Sequence, residues 1–254
     1  MGDEETNRGS YVIIGASGGI GSETARRLAA GGARVLLASR PSDRLTALAG
    51  ELDTPAVEID ATQTDQVERA VAEATEKFGR VDGVANCVGS LLLKPAHLTS
   101  DEEWDATIAT NLRSAFATVR AGAKAMRKQG GSIVLLSSAV ASHGFSNHEA
   151  IAAAKAGVVG LALSAAASYA ANGLRVNAVA PGLTKTPLTE KIWGNEAPAK
   201  ASEEMHALGR LGEPGDIASA ICWLLDPANS WVSGQVINVD GGLSRLHANV
   251  RRRG

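Results

Sequence analysis

The 254-residue chain is 44% hydrophobic and 20% charged, with 25 Lys and Arg against 27 Asp and Glu and a net charge of −2. That balance argues against a nucleic-acid protein, which carries a large basic excess. The two cysteines, Cys87 and Cys222, stand far apart with no C-x-x-C, so neither a disulfide framework nor a structural zinc site is expected, and no metal is predicted.

The polar, acidic start is the opposite of a secretory or transit segment, and residues 1–9 read as a tail. Short apolar, β-rich runs then fall at 11–14, 34–38, 56–59, 83–86, 132–136, 175–179 and 236–239. Between them lie segments with apolar residues at helical spacing, among them 65–78, 104–126 and 217–225. This alternation predicts an α/β fold: a doubly wound, parallel sheet of about seven strands with helices on both faces. No Pro-, Gly- and Ser-rich linker divides the chain and no repeat is visible, so 10–245 reads as a single domain. Residues 183–212 hold no convincing strand and read as a long excursion of the kind that forms lids. The longest apolar stretch, 151–171, is mostly Ala and Gly with scattered Ser and contains Lys155, too weakly hydrophobic for a membrane span. A soluble, cytoplasmic protein with no membrane partner is the expectation. Residues 246–254 read as a second tail, whose Arg251, Arg252 and Arg253 are solvated charges.

The first strand runs directly into Gly15-Ala16-Ser17-Gly18-Gly19-Ile20-Gly21 and then a helix. In that position Gly15 permits a tight turn, Gly19 admits a pyrophosphate to backbone N–H groups, and Gly21 lets helix and strand pack closely. The helix N-terminus adds partial positive charge, so a dinucleotide is predicted there. The second strand ends Leu37-Ala38-Ser39-Arg40 with no acid to hold the ribose 2′-hydroxyl of NAD. Arg40 instead suits a 2′-phosphate, with Ser39 and Ser17 as hydrogen-bond donors, which favours NADP(H). Asp60, after the third strand, is placed near the adenine.

The Gly15-x-x-x-Gly19-x-Gly21 spacing resembles that of the short-chain dehydrogenase/reductases, and the resemblance covers about residues 9–245. It implies a Rossmann-type fold, 3-oxoacyl-carrier-protein reductases being the nearest look-alikes. Asn86-Cys87-Val88-Gly89 is similar to the family's Asn-Asn-Ala-Gly turn, and Asn111 to its structural and catalytic asparagine. Ser138 matches the catalytic serine. Pro181-Gly182-x-x-x-Thr186, with Thr184 inside it, resembles the segment at the nicotinamide end. The resemblance also implies a small-molecule substrate and a homotetramer or homodimer built on the long helices 104–126 and 151–171.

The departure is at the acid. Where the family carries Tyr-x-x-x-Lys, this chain reads Ile151-Ala152-Ala153-Ala154-Lys155. Isoleucine has no proton to give. Tyr169 lies fourteen residues beyond Lys155, about 21 Å along a helix, and Tyr11 stands at the wrong end of the first strand. Lys155 keeps the family's role at the nicotinamide ribose, and Ser138 can still donate to a substrate oxygen or nitrogen. Ser146-x-x-Glu149 has the pattern of a capping box and sets the start of a helix there. His148, seven residues before Lys155, then returns to within about 20° of the same helix face and is a candidate proton donor. A helix N-terminus disfavours positive charge, and a solvent-facing histidine is the competing reading. His143 is a second, weaker candidate. Trp193, in the excursion, is a candidate pocket wall. Two functions therefore stand side by side: an NADPH-dependent reductase of C=O or C=N bonds whose proton comes from His148, from a water held by Lys155 and Asn111, or with an iminium substrate already protonated, and an NADP(H)-binding protein of the same fold without turnover. A third is a structural subunit paired with an active homologue.

Overall fold

The structure is a computed structural model describing residues 9–247. The tail at 1–8, that at 248–254 and its three arginines lie outside the described residues. Seven parallel strands form one sheet in the order β3-β2-β1-β4-β5-β6-β7. They are β1 (Ser10–Ile14), β2 (Arg34–Ser39), β3 (Ala56–Glu58), β4 (Gly83–Asn86), β5 (Gly131–Leu136), β6 (Leu174–Pro181) and β7 (Val236–Val239). The chain starts at β1, winds outward to β3, and returns to β4 on the other side of β1. That reversal opens a crevice beyond the C-terminal ends of β1 and β4, where α/β sheets bind ligands.

Both sheet faces are covered, so the strands are apolar on both sides. Alternate residues of β1 divide between two cores. Val12 and Ile14 pack with α3 (Thr64–Phe78), α5 (Ser114–Met126) and α6 (Glu149–Tyr169). Tyr11 and Ile13 pack with α1 (Gly19–Ala30), α2 (Asp43–Leu52) and α9 (Pro214–Leu225).

The structure corrects the sequence reading at two helices. The stretch 104–126 is not one helix: α4 (Asp101–Ile108) is joined to α5 by a π-helical turn, Ala109–Arg113. The Asn111 amide sets this turn, donating back to Thr107 O at 2.9 Å. The second correction concerns the Ser146–Glu149 capping box, which does not form. Asn147 takes a left-handed φ of 63°, incompatible with a first helical turn. Its carbonyl receives Lys94 N–H at 2.8 Å instead. The N-cap therefore moves to His148, and α6 starts at Glu149.

By length and mean hydropathy, 1.7 over its most apolar window, the Glu149–Asn172 helix is able to span a membrane. It is instead a core helix, burying Ile151, Ala154, Lys155, Val158 and Ala162. The excursion 183–212 contains no strand. A lone bridge, Thr184 to Gly212, pins its base, and the rest is a turn of 3-10 helix, α7 (Glu190–Trp193) and α8 (Glu196–Met205). Both cysteines are free, and no metal-binding cluster occurs among the described residues.

Candidate active site

The glycine loop is shaped by what side chains would strike. Gly15 has φ +81°, and a Cβ there would lie 2.9 Å from the Cys87 and Val88 backbone. A Cβ on Gly21 would collide with Gly15 O, and one on Gly19 would stand 2.9 Å from Thr186 Cγ2. Gly21 therefore sets the helix against its strand, and Gly19 lets the segment after β6 close over the loop. Gly18 caps α1 without a side-chain hydrogen bond, and no acidic residue stands in the first turn. The N–H groups and dipole of this helix end are free to receive an anion.

A cavity of about 1380 Å³ starts here, larger than most drug-sized sites. Its first end is lined by Ser17, Gly19, Ile20, Arg40, Ser42, Arg44, Glu58 and Asp60. Arg40 and Arg44 are exposed and in no ion pair among the described residues. Ser39 lies beneath them, its hydroxyl 2.6 Å from that of Ser17. Asp60 accepts Thr62 N–H at 2.9 Å, which shapes the turn after β3.

At the other end the cavity passes Gly89, Ser138, His148, Ile151, Lys155, Pro181, Gly182, Thr184 and Thr186. Lys155 is buried, with Nζ donating to Leu136 O at 2.9 Å. Burial pulls its pKa down to about 8, the Cys87 thiol opposing this slightly. Burial also pushes the Cys87 thiol up to about 12, which makes it a poor nucleophile. Ser137 donates to Lys155 O at 2.9 Å, so of the two serines at the end of β5, Ser138 has the hydroxyl turned to other uses. Ile151, one turn before Lys155, presents hydrocarbon to the same space. His148 Nδ1 lies 2.7 Å from Ser146 O. A carbonyl only accepts, so Nδ1 carries a hydrogen and Nε2 is the ring's remaining proton site.

Two sequence-predicted residues sit behind the site. Asn86 donates to Thr118 Oγ1 (2.9 Å) and Ser114 Oγ (3.3 Å) and accepts from Val88 N (2.9 Å). Asn111 accepts from Ser90 N at 3.1 Å and donates to Ser90 Oγ at 2.8 Å. Both amides hold the turn that carries Gly89. Gly15, Gly21 and Ser39 likewise support the wall without lining it. His143 also stays out of the lining and packs edge-on against Phe145, ring centres 5.0 Å apart. Trp193 is outside the lining too, its Nε1 donating to Thr186 O at 2.9 Å within the excursion.

The sequence reading missed Arg44, Lys191, Phe145 and His206, all of which line the cavity. Arg44 was detectable four residues after Arg40. The others come from loops and short helices with no local signature.

A comparison with known proteins agrees with this architecture. The family described as enoyl-(acyl carrier protein) reductase matches residues 15–244. A 3-oxoacyl-[acyl-carrier-protein] reductase of Thermotoga maritima is 37% identical over 243 residues, 91% of this chain and 96% of that one. Levodione reductase of Leifsonia aquatica is 38% identical over 251 residues, 93% of this chain and 94% of that one. Among solved structures, ElxO with NADP bound superposes with a TM-score of 0.86 at 28% identity, covering 92% of this chain and 98% of that one. Sheet order, glycine loop and these relatives together place the chain in the short-chain dehydrogenase/reductase family, whose members are oxidoreductases.

Proposed function

We propose that the chain is an NADPH-dependent reductase of C=O or C=N bonds in which His148, not a tyrosine, gives the proton. The observation that carries this is the continuity of one cavity from Arg40 and Arg44 to Ser138, His148 and Lys155. The glycine loop has room for a pyrophosphate, and the two free arginines suit a 2′-phosphate. Bound NADPH supplies the hydride. Lys155 holds the ribose hydroxyls, Ser138 donates a hydrogen bond to the substrate oxygen or nitrogen, and an imidazolium at His148 releases its Nε2 proton to that atom. The substrate end is walled by Leu91, Leu93, Phe145, Ile151, Leu188 and Ile192, which suits a substrate with an apolar body. A C=N substrate that arrives as an iminium needs no proton at the transferred-hydride step, so Ile151 costs it least. The protein is inferred to be cytoplasmic and to assemble as a homotetramer or homodimer.

A second reading, an NADP(H)-binding protein without turnover, is favoured by Ile151 alone. An anaerobic NADPH titration followed by a panel of apolar ketones and imines separates the two. Tight NADPH binding with oxidation by imines, faster than by matched ketones, is the expected result. Binding without oxidation across the panel overturns the reductase. In Ile151→Tyr the ketone-to-imine rate ratio is expected to rise by about 10²-fold or more, the usual contribution of a positioned acid. An unchanged ratio would refute the idea that residue 151 limits ketone reduction.

A further inference from the structure

His206 is the one buried imidazole among the described residues, 1% exposed. It caps the C-terminal end of α8 and forms a shared wall between the main cavity and a second hollow of about 370 Å³. Its Nδ1 lies 2.6 Å from Ser202 O, one turn back on α8. A carbonyl is only an acceptor, so Nδ1 bears the hydrogen. Its Nε2 accepts Leu183 N–H at 3.2 Å. Both ring nitrogens are therefore satisfied in a single state, the neutral Nδ1–H tautomer. Gly182 makes the approach possible, since a Cβ there would stand 2.7 Å from Nε2.

We infer that His206 is a positioning residue, whose neutral ring latches α8 to the Gly182–Leu183 backbone at the exit of β6, and that acid releases the latch. The latch fixes the wall bearing Ser202 and Met205 against the segment that closes the glycine loop through Thr186. Protonation places a second N–H on the ring, facing the Leu183 N–H. Two donors then meet, and Leu183 N–H has no other acceptor among the described residues. Protonation of Nε2 therefore breaks the bond.

The charged groups around the ring do not supply a substitute. Asp240, at the end of β7, already accepts from Gly242 N (2.9 Å) and from Ser244 N (3.0 Å) and Oγ (2.5 Å). Arg210 and Asp216 are paired at 2.7 Å across the second hollow. Glu203 and Glu204 belong to α8 itself, and Lys191 and His148 line the main cavity. None of these groups receives the Leu183 hydrogen.

The inference uses the reductase reading only for its kinetic readout, so the primary test needs no turnover. Hydrogen exchange of the full chain is followed from neutral pH to the lowest pH at which the fold persists, with rates corrected for intrinsic pH dependence. Protection of Leu183 and of the last turn of α8 is expected to fall about three- to tenfold on acidification, the equivalent of one net hydrogen bond. His206→Gln supplies an amide oxygen that does not titrate, and its protection is expected to be independent of pH. With an accepted substrate, wild-type KM should rise on acidification while KM of His206→Gln stays flat. Protection that is insensitive to acid in the wild type, or that falls equally in His206→Gln, overturns the latch. So does a ¹⁵N spectrum placing the ring hydrogen on Nε2. Failure of every substrate with the exchange result intact would sink the reductase reading and leave the latch standing.

Discussion

Arg40 offers the sharpest measurement, because its proposed partner is present in one cofactor and absent from the other. A 2′-phosphate carries close to two negative charges. An exposed cation about 4 Å away gains roughly 1 kcal/mol per unit charge in a water-like dielectric, hence about 2 kcal/mol, and screening at physiological salt trims this to about 1.5. Arg40→Ala should therefore weaken NADPH about tenfold. Arg44 follows four residues later, in the first turn of α2, and is equally free of ion pairs among the described residues. Removing both should cost about a hundredfold, somewhat less if they share the phosphate. NADH, with a hydroxyl at that atom, should change by less than about twofold. Glu58 pairs in register with Ser39 and lines the same end of the cavity, so its carboxylate opposes the phosphate. Glu58→Gln should tighten NADPH severalfold. Calorimetric titration of both cofactors at low and high salt makes the check, and the arginine contribution should shrink at high salt. Equal losses for NADPH and NADH in Arg40→Ala, or no loss for either, would refute the placement of the 2′-phosphate.

His148→Ala should lower kcat by about 10²–10⁴ with little change in KM. An unchanged kcat removes His148 from the chemistry. Lys155 should be a liability to stability. Its folded pKa of about 8 lies below the 10.5 of the free group. Stability is therefore greatest above the unfolded value, declines as pH falls from 10.5 toward 8, and is level below that. Lys155→Met should recover about 3 kcal/mol at neutral pH, less about 1 kcal/mol for the donor lost to Leu136 O, and above about pH 10.5 should show only that loss. Urea unfolding at neutral and high pH reads the difference, and equal gains at both would contradict the burial argument. Gly21→Ala should destabilise by more than about 2 kcal/mol, because its methyl meets the Gly15 carbonyl. Gly50→Ala, with nothing within 4 Å of the added methyl, should instead stabilise α2 by about 0.5–1 kcal/mol, and thermal melts of the pair test the contrast.

Strand order and the first half of the site were legible because they depend on local signals. Apolar runs such as Tyr11–Ile14 and the glycines between Gly15 and Gly21 mark where the chain turns, and a parallel sheet leaves few ways to wind. The π-helical turn was not legible. It follows from the Asn111 side chain reaching Thr107 O and Ser90, a contact across 21 residues of which the local pattern carries no trace. The capping box failed for a similar reason: Asn147 is drawn into a left-handed turn by Lys94, more than fifty positions away in the chain. His206 was invisible altogether. Its significance lies in two backbone partners, Ser202 O and Leu183 N, and only folding brings the second to it.

The same distinction bears on Ile151. The residue is 3% exposed, and the helix that carries it needs only its Cα trace to place Lys155. Lys155 in turn is held by Leu136 O and by Ser137 bonding to its own carbonyl, neither of which involves residue 151. None of the bonds that place the ammonium therefore depends on what stands at residue 151. What changes is the chemistry that the cavity selects. On the proposed mechanism a ketone takes its proton from His148, at the N-cap of α6, whereas an iminium brings its own. If the proposed mechanism holds, an isoleucine here favours substrates that are already cationic while leaving the proposed dinucleotide site intact.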